Sequence, residues 1–180
     1  VARQDVRLAP AGAHQVSQRS TGQAPATSLA AAPDRLLTAD GVTLRYKEVG
    51  VGDAVLLIHG YSATLESLTP VADRLASTHR VVALDVRGFG KSSKFAEATR
   101  FGQLMVDDIV RLMDHLKISR THLVGHSMGA LIAANVAARY PARVSSATLV
   151  AGPFYADKAT FNKESARWAA DLQNGRGLTN

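Results

Sequence analysis

Thr121-His122-Leu123-Val124-Gly125-His126-Ser127-Met128-Gly129-Ala130 reads as a short buried strand, a sharp turn carrying one serine, and the start of a helix that runs to Tyr140. Gly125 to Gly129 fits G-x-S-x-G, the turn that lifts a serine hydroxyl clear at the tip of a strand as a nucleophile. Such a turn strains the serine backbone, and side chains two residues before and after it would collide, so both positions call for glycine. It also leaves the first free N–H groups of the new helix directed at the reacting centre. The flanks supply the context. His122-Leu123-Val124 is strand-like, no helix breaker follows Gly129 as far as Arg139, and alanines at 130, 133, 134, 137 and 138 allow close packing on a sheet.

Working outward, Ala54-Val55-Leu56-Leu57-Ile58 is a continuous apolar run of strand length, expected of a central strand buried on both faces. It ends in His59-Gly60-Tyr61. Leu65, Leu68, Val71, Ala72 and Leu75 recur at helical spacing, and Arg80 to Leu84 is a second buried strand ending in Asp85-Val86-Arg87-Gly88. Met105, Ile109, Leu112 and Leu116 form the apolar stripe of another helix, with Asp107, Asp108, Arg111 and Asp114 mostly off it. Val144 to Val150 is a further strand. Before the central run, Thr38-Ala39-Asp40-Gly41 turns between two short strands, the second covering Val42 to Val49. Strands alternating with helices predict an α/β fold, a mostly parallel sheet with helices on both faces and right-handed crossovers. Function in such sheets gathers beyond the carboxyl ends of the strands. Those ends here are His59-Gly60-Tyr61, Asp85-Val86-Arg87-Gly88 and His126-Ser127-Met128, so the conspicuous patterns converge on one edge.

At 180 residues, with 46% hydrophobic and 20% charged residues, the chain has the composition of one globular domain. A net charge of +6 is spread singly, without a basic run interleaved with aromatics, and gives no reason to expect a nucleic-acid partner. The absence of cysteine excludes disulfides and thiolate metal sites and leaves the compartment unread. No apolar run approaches a membrane span. Residues 1–33 are rich in Ala, Ser, Thr, Gln, Gly and Arg, without periodicity, and are expected to be a disordered tail. Within it, Leu29-Ala30-Ala31-Ala32 resembles a small-residue cleavage site, but no apolar core precedes it.

The segment from Thr38 to Gly152 resembles the α/β-hydrolase fold superfamily in its esterase- and lipase-like serine-hydrolase branch. The resemblance rests on Leu57-Ile58-His59-Gly60, Asp85-Val86-Arg87-Gly88-Phe89-Gly90-Lys91-Ser92 and Gly125-His126-Ser127-Met128-Gly129, in the family's order. It implies Ser127 as nucleophile, an oxyanion hole from the backbone N–H groups of Tyr61 and Met128, a small ester-like substrate and no cofactor. Serine in the elbow argues against the dehalogenase and epoxide-hydrolase branches, which use an aspartate there. Carbon–carbon bond hydrolases, amidases and perhydrolases share the elbow and stay open, as does a non-catalytic binding protein that kept the cleft.

The remaining site residues are expected to shape the site: His59, Gly60, Gly125, His126 and Gly129 around the turn, and Asp85 as a loop-fixing carboxylate. His14, His79, His115 and His122 lie away from the active edge, and no pair has metal-site spacing. Gly90-Lys91-Ser92 resembles the end of a phosphate-binding loop, but Asp85 stands where its first glycine belongs and would oppose phosphate. The domain division expected is a tail at 1–33, an incomplete hydrolase core at 34–152 and the start of a helical cap at 153–180, carrying Asp157. No histidine follows His126. The family's acid and base are therefore expected beyond Asn180, in a chain read as truncated at its C-terminal side. An uncovered sheet edge after Val150 would favour self-association.

Overall fold

The computed structural model describes residues 28–96 and 102–153, together with 157, 159, 160, 162, 163 and 166. Of the expected cap, only Pro153 and those six residues are described, and the tail residues 1–27 lie outside the described set.

Among the described residues, six strands form one sheet: β1 (Arg35–Ala39), β2 (Val42–Val49), β3 (Asp53–Ile58), β4 (His79–Leu84), β5 (Thr121–His126) and β6 (Val144–Val150). Their order is β1-β2-β4-β3-β5-β6, with β4, β3, β5 and β6 mutually parallel and β1 and β2 antiparallel to their neighbours. Asp40 and Gly41 both take positive φ, 51° and 72°, the pairing that lets a two-residue turn follow the twist of β1 and β2. Helices α1 (Thr69–Leu75), α2 (Gln103–His115) and α3 (Met128–Arg139) connect the parallel strands or follow them. The helical spacing at 65–75 resolves into a 3₁₀ turn, Leu65–Leu68, and then α1, which restarts with a proline in its first turn.

Strand β3 explains the two-layered core. Leu56 and Ile58 face Ile109, Leu112 and Met113 of α2 and Ile132, Ala133 and Val136 of α3. Val55 and Leu57 face the opposite side, with Leu65, Ala72, Val81 and Ala83. Side chains alternate across a strand, so a run buried on both faces needs a helical layer on each. Each fully buried Leu or Ile there contributes about 1.5–3 kcal/mol relative to an exposed one.

Two expectations need correction. Residues 28–33, expected to be disordered, are part of the fold: Leu29 and Ala32 are buried in the second core layer. Ser28 Oγ and the Leu29 N–H donate to Asp73 of α1, at 2.9 and 2.6 Å, while Lys47 Nζ donates to the carbonyls of Leu29 and Ala30. A polar, small-residue composition hid one leucine that fits a socket. Asp108, assigned to the polar side of α2, is buried because Arg87 forks onto both its oxygens at 2.6 and 2.7 Å. At the far edge of the described sheet, β6 is exposed from Ser145 onward, Leu149 and Val150 included.

Candidate active site

The turn between β5 and α3 carries Ser127 at φ 51°, ψ −115°. A non-glycine residue in that region costs of order 1–3 kcal/mol and persists only where its surroundings impose it. Here the imposition is visible. A Cβ on Gly125 would strike the backbone of Gly129, and one on Gly129 would strike the carbonyls of Ile58 and His59. Helix α3 therefore starts in direct backbone contact with the end of β3, and only glycine allows it. The Ser127 N–H donates to the Val150 carbonyl at 2.9 Å, tying the turn to the end of β6.

The loop after β3 comes to the same place. A Cβ on Gly60 would lie 3.2 Å from Cβ of Ser127 and 3.0 Å from Nδ1 of His126. Tyr61 follows, 64% exposed, its ring edge-on to Phe89 with centroids 5.3 Å apart. Met128 opens α3, so its N–H has no carbonyl behind it in the helix. Neither that N–H nor the one on Tyr61 donates to another described residue. Among the described residues these two backbone donors, one next to Ser127 in the chain and one on the loop that reaches it, have no acceptor.

His59 is wholly buried, with Nε2 accepting the Val86 N–H at 3.0 Å and Nδ1 2.7 Å from the Gly60 carbonyl. Those partners fix the tautomer with the proton on Nδ1. Burial pushes its pKa below the ordinary imidazole value, against the pull of the Gly60 carbonyl. The ring is a neutral brace between two loops with both nitrogens occupied. His126 is exposed beside Ser127. Asp85 is wholly buried and accepts three bonds: from Leu65 N–H at 2.8 Å, Lys91 N–H at 2.8 Å and Arg45 Nη1 at 3.0 Å. Its carboxylate is spent on loop backbone and one guanidinium. Asp157 gives both oxygens to Thr160, one to its N–H and one to its hydroxyl, as a residue capping a helical turn does. Those bonds hold its pKa below the usual carboxylate value. The other described histidines have structural partners: His115 with Tyr46, His122 with Ser146, His79 with Thr78. Lys91, the lysine of the phosphate-loop lookalike, pairs with Asp34 at 2.8 Å.

Sequence reading missed Arg45 and Glu66. Arg45 is 3% exposed and contacts Asp34, Glu66 and Asp85. No local signal marks it, because its carboxylate partners stand 11, 21 and 40 positions away.

A family model described as the alpha/beta hydrolase fold matches residues 53–178. A dihydrolipoyllysine-residue acetyltransferase component of an acetoin-cleaving system from Cupriavidus necator is 40% identical over 129 residues, covering 71% of this chain and 34% of the relative. An epoxide hydrolase from Caballeronia sordidicola is 37% identical over 120 residues, covering 66% and 36%. Among solved structures, a bacterial membrane phospholipase A superposes with a TM-score of 0.67 at 32% identity, over 77% of this chain and 46% of that one. The chain spans about a third of the length of these curated relatives. No helix among the described residues is long and apolar enough to cross a membrane.

Proposed function

The chain belongs to the α/β-hydrolase fold family, and from that premise we propose that it is the nucleophile-bearing part of a serine hydrolase that cleaves small carboxylic esters. A general base takes the proton of Ser127 Oγ as that oxygen attacks the ester carbonyl. The resulting oxyanion is held by the N–H groups of Tyr61 and Met128. Collapse expels the alcohol with a proton, and water then attacks the acyl-serine to release the acid and restore the hydroxyl. The observation that carries this reading is the strained Ser127 at φ 51°, between two glycines that tolerate no side chain and beside two unoccupied backbone donors. The elbow residue itself argues against epoxide opening, for which the epoxide-hydrolase branch uses an aspartate.

His59 has no free nitrogen and no histidine follows His126. Because the chain spans about a third of its curated relatives, the proposal assigns the base and its acid to the part those relatives have in addition. The test compares residues 1–180 with the complete reading frame, using p-nitrophenyl acetate and a fluorophosphonate probe. The complete protein should label at Ser127 and turn over, and Ser127→Ala should remove both. Residues 1–180 should retain only weak catalysis, since losing a triad member leaves roughly 10³–10⁴-fold over water from the oxyanion hole and binding. An unlabelled, inert complete protein would refute the hydrolase reading and favour a binding protein. The acetyltransferase-component relative gives one reason to quantify released acid beside labelling: an acyl-serine passed to an acceptor other than water would label yet release little acid.

A further inference from the structure

The Tyr61 N–H sits on a five-residue span, 60–64, between His59 and the Leu65–Leu68 turn, with Ser62 at φ 59° in its middle. One end is held by His59 on the Gly60 carbonyl, and a bond from Ala63 N–H to that carbonyl, at 3.3 Å, tightens the turn. The other end is held from below. Leu65 N–H donates to Asp85 Oδ1, and the side chain of the next residue, Glu66, meets Arg45 Nη2 at 2.5 Å while accepting from Thr64 Oγ1 at 2.6 Å. Arg45 Nη1 also holds Asp85 Oδ2, so one guanidinium grips both carboxylates that receive the loop. Its backbone does the same on the other side: Asp85 N–H donates to the Arg45 carbonyl, and Arg45 N–H donates to Ser92 Oγ, which donates to the Asp85 carbonyl. The third partner, Asp34, pairs with Arg45 and Lys91 and lies 3.9 Å from Lys47 Nζ. Three cations thus face three carboxylates.

We propose that Arg45 is a positioning residue: through Asp85 and Glu66 it sets where the Tyr61 N–H stands relative to Ser127. The inference rests on the serine-hydrolase reading above and deepens it. A plain stabilising role would need only the bidentate grip of a guanidinium on any two carboxylates. What Arg45 holds are the carboxylates that receive the Thr64 hydroxyl and the Leu65 N–H, three and four residues from the Tyr61 N–H, whose own peptide is held on its other side at the Gly60 carbonyl. Because an oxyanion donor acts on charge that develops only in the transition state, misplacing it lowers kcat and leaves KM nearly unchanged.

The experiment uses the complete reading frame with p-nitrophenyl acetate and the variants Arg45→Met, Arg45→Lys and the milder Glu66→Gln. Hydrogen exchange is followed in parallel over 60–66 and over the β3 strand. Arg45→Met should lower kcat roughly 10- to 100-fold, less than or comparable with outright loss of an oxyanion donor, with KM within about twofold. Arg45→Lys should recover only part of this, since an ammonium lacks the fork. Glu66→Gln should fall between Arg45→Met and wild type, and exchange should quicken over 60–66 but not over β3. The two ideas fail differently. No Ser127-dependent turnover in the wild type, with exchange over 60–66 unchanged in Arg45→Met and Glu66→Gln, would sink both. Ser127-dependent turnover with kcat preserved in Glu66→Gln and in a folded Arg45→Met would sink the Arg45 role alone. So would a loss shared between kcat and KM, with exchange quickened everywhere.

Discussion

At the scale of single residues, the site is governed by what cannot be added. Glycine in a helix interior normally costs roughly 0.5–1 kcal/mol relative to alanine, so Gly→Ala there is usually stabilising. Gly129 lies inside α3, yet a Cβ on it would meet the Ile58 and His59 carbonyls. Gly129→Ala should therefore reverse the usual sign and destabilise by about 1–3 kcal/mol or more, the range for overpacking. Urea unfolding of the variant checks this, and a raised midpoint would mean that α3 does not rest on β3 as described. The same contact makes the glycines of G-x-S-x-G legible from sequence: the pattern is short because the steric cause is local. His59 is the counterexample. Its role as a buried brace depends on Val86, 27 positions away, and nothing in Leu57-Ile58-His59-Gly60 reveals that partner.

Elements were legible where one face or both faces of a run are apolar, and illegible where the sheet buries charge. In β2, Val42, Leu44 and Tyr46 join the α2–α3 core layer, so the alternation suggests that Arg45 and Lys47 face water. Both are buried, because the segment 28–34 lies against that side and supplies carbonyls and a carboxylate to receive them. The same blind spot made residues 28–33 look like tail. Their polar and small residues advertise disorder, and only the fold discloses that Leu29 is fully enclosed beside Val49, Val81 and Ala72. Leu29→Ala should accordingly cost about 2–5 kcal/mol, as core leucine truncations do. A change below about 0.5 kcal/mol in denaturant unfolding would show that Leu29 is not held in the core.

Across the whole molecule, the mostly parallel sheet, the helices on both faces and the convergence of three strand ends on one edge follow from alternating strands and helices and were open to reading, whereas the strand order β1-β2-β4-β3-β5-β6 was not. The electrostatic frame beneath that edge was not, because it joins residues 34, 45, 66 and 85 through tertiary contacts alone. That frame gives the molecule a specific acid response. Hydrogen bonds from Arg45, with help from Lys91 at Asp34 and Thr64 at Glu66, lower both carboxyl pKa values to about 2, from ordinary values of 3.8 and 4.5. Unfolded chain takes up protons at these groups as pH falls below about 4.5, while folded protein does so only near 2. The stability they contribute is therefore complete above about 4.5 and is lost progressively down to about 2. His59 acts in a higher window with the same sign. Burial lowers its pKa from 6.5, so the folded state resists the proton that the unfolded state accepts, and stability starts to fall as pH drops below 6.5. Denaturant midpoints should be level above pH 6.5, decline gently towards pH 5 and decline more steeply below 4.5. Glu66→Gln should flatten the lower segment, because one of the two depressed carboxyls is gone, and should not abolish the upper one, since loss of the Glu66 charge only lowers the His59 pKa further. Equal midpoints at pH 7.5 and 5.5 would mean that His59 is not held neutral by burial. An unaltered lower segment in Glu66→Gln would show that its pairing with Arg45 carries no weight in solution.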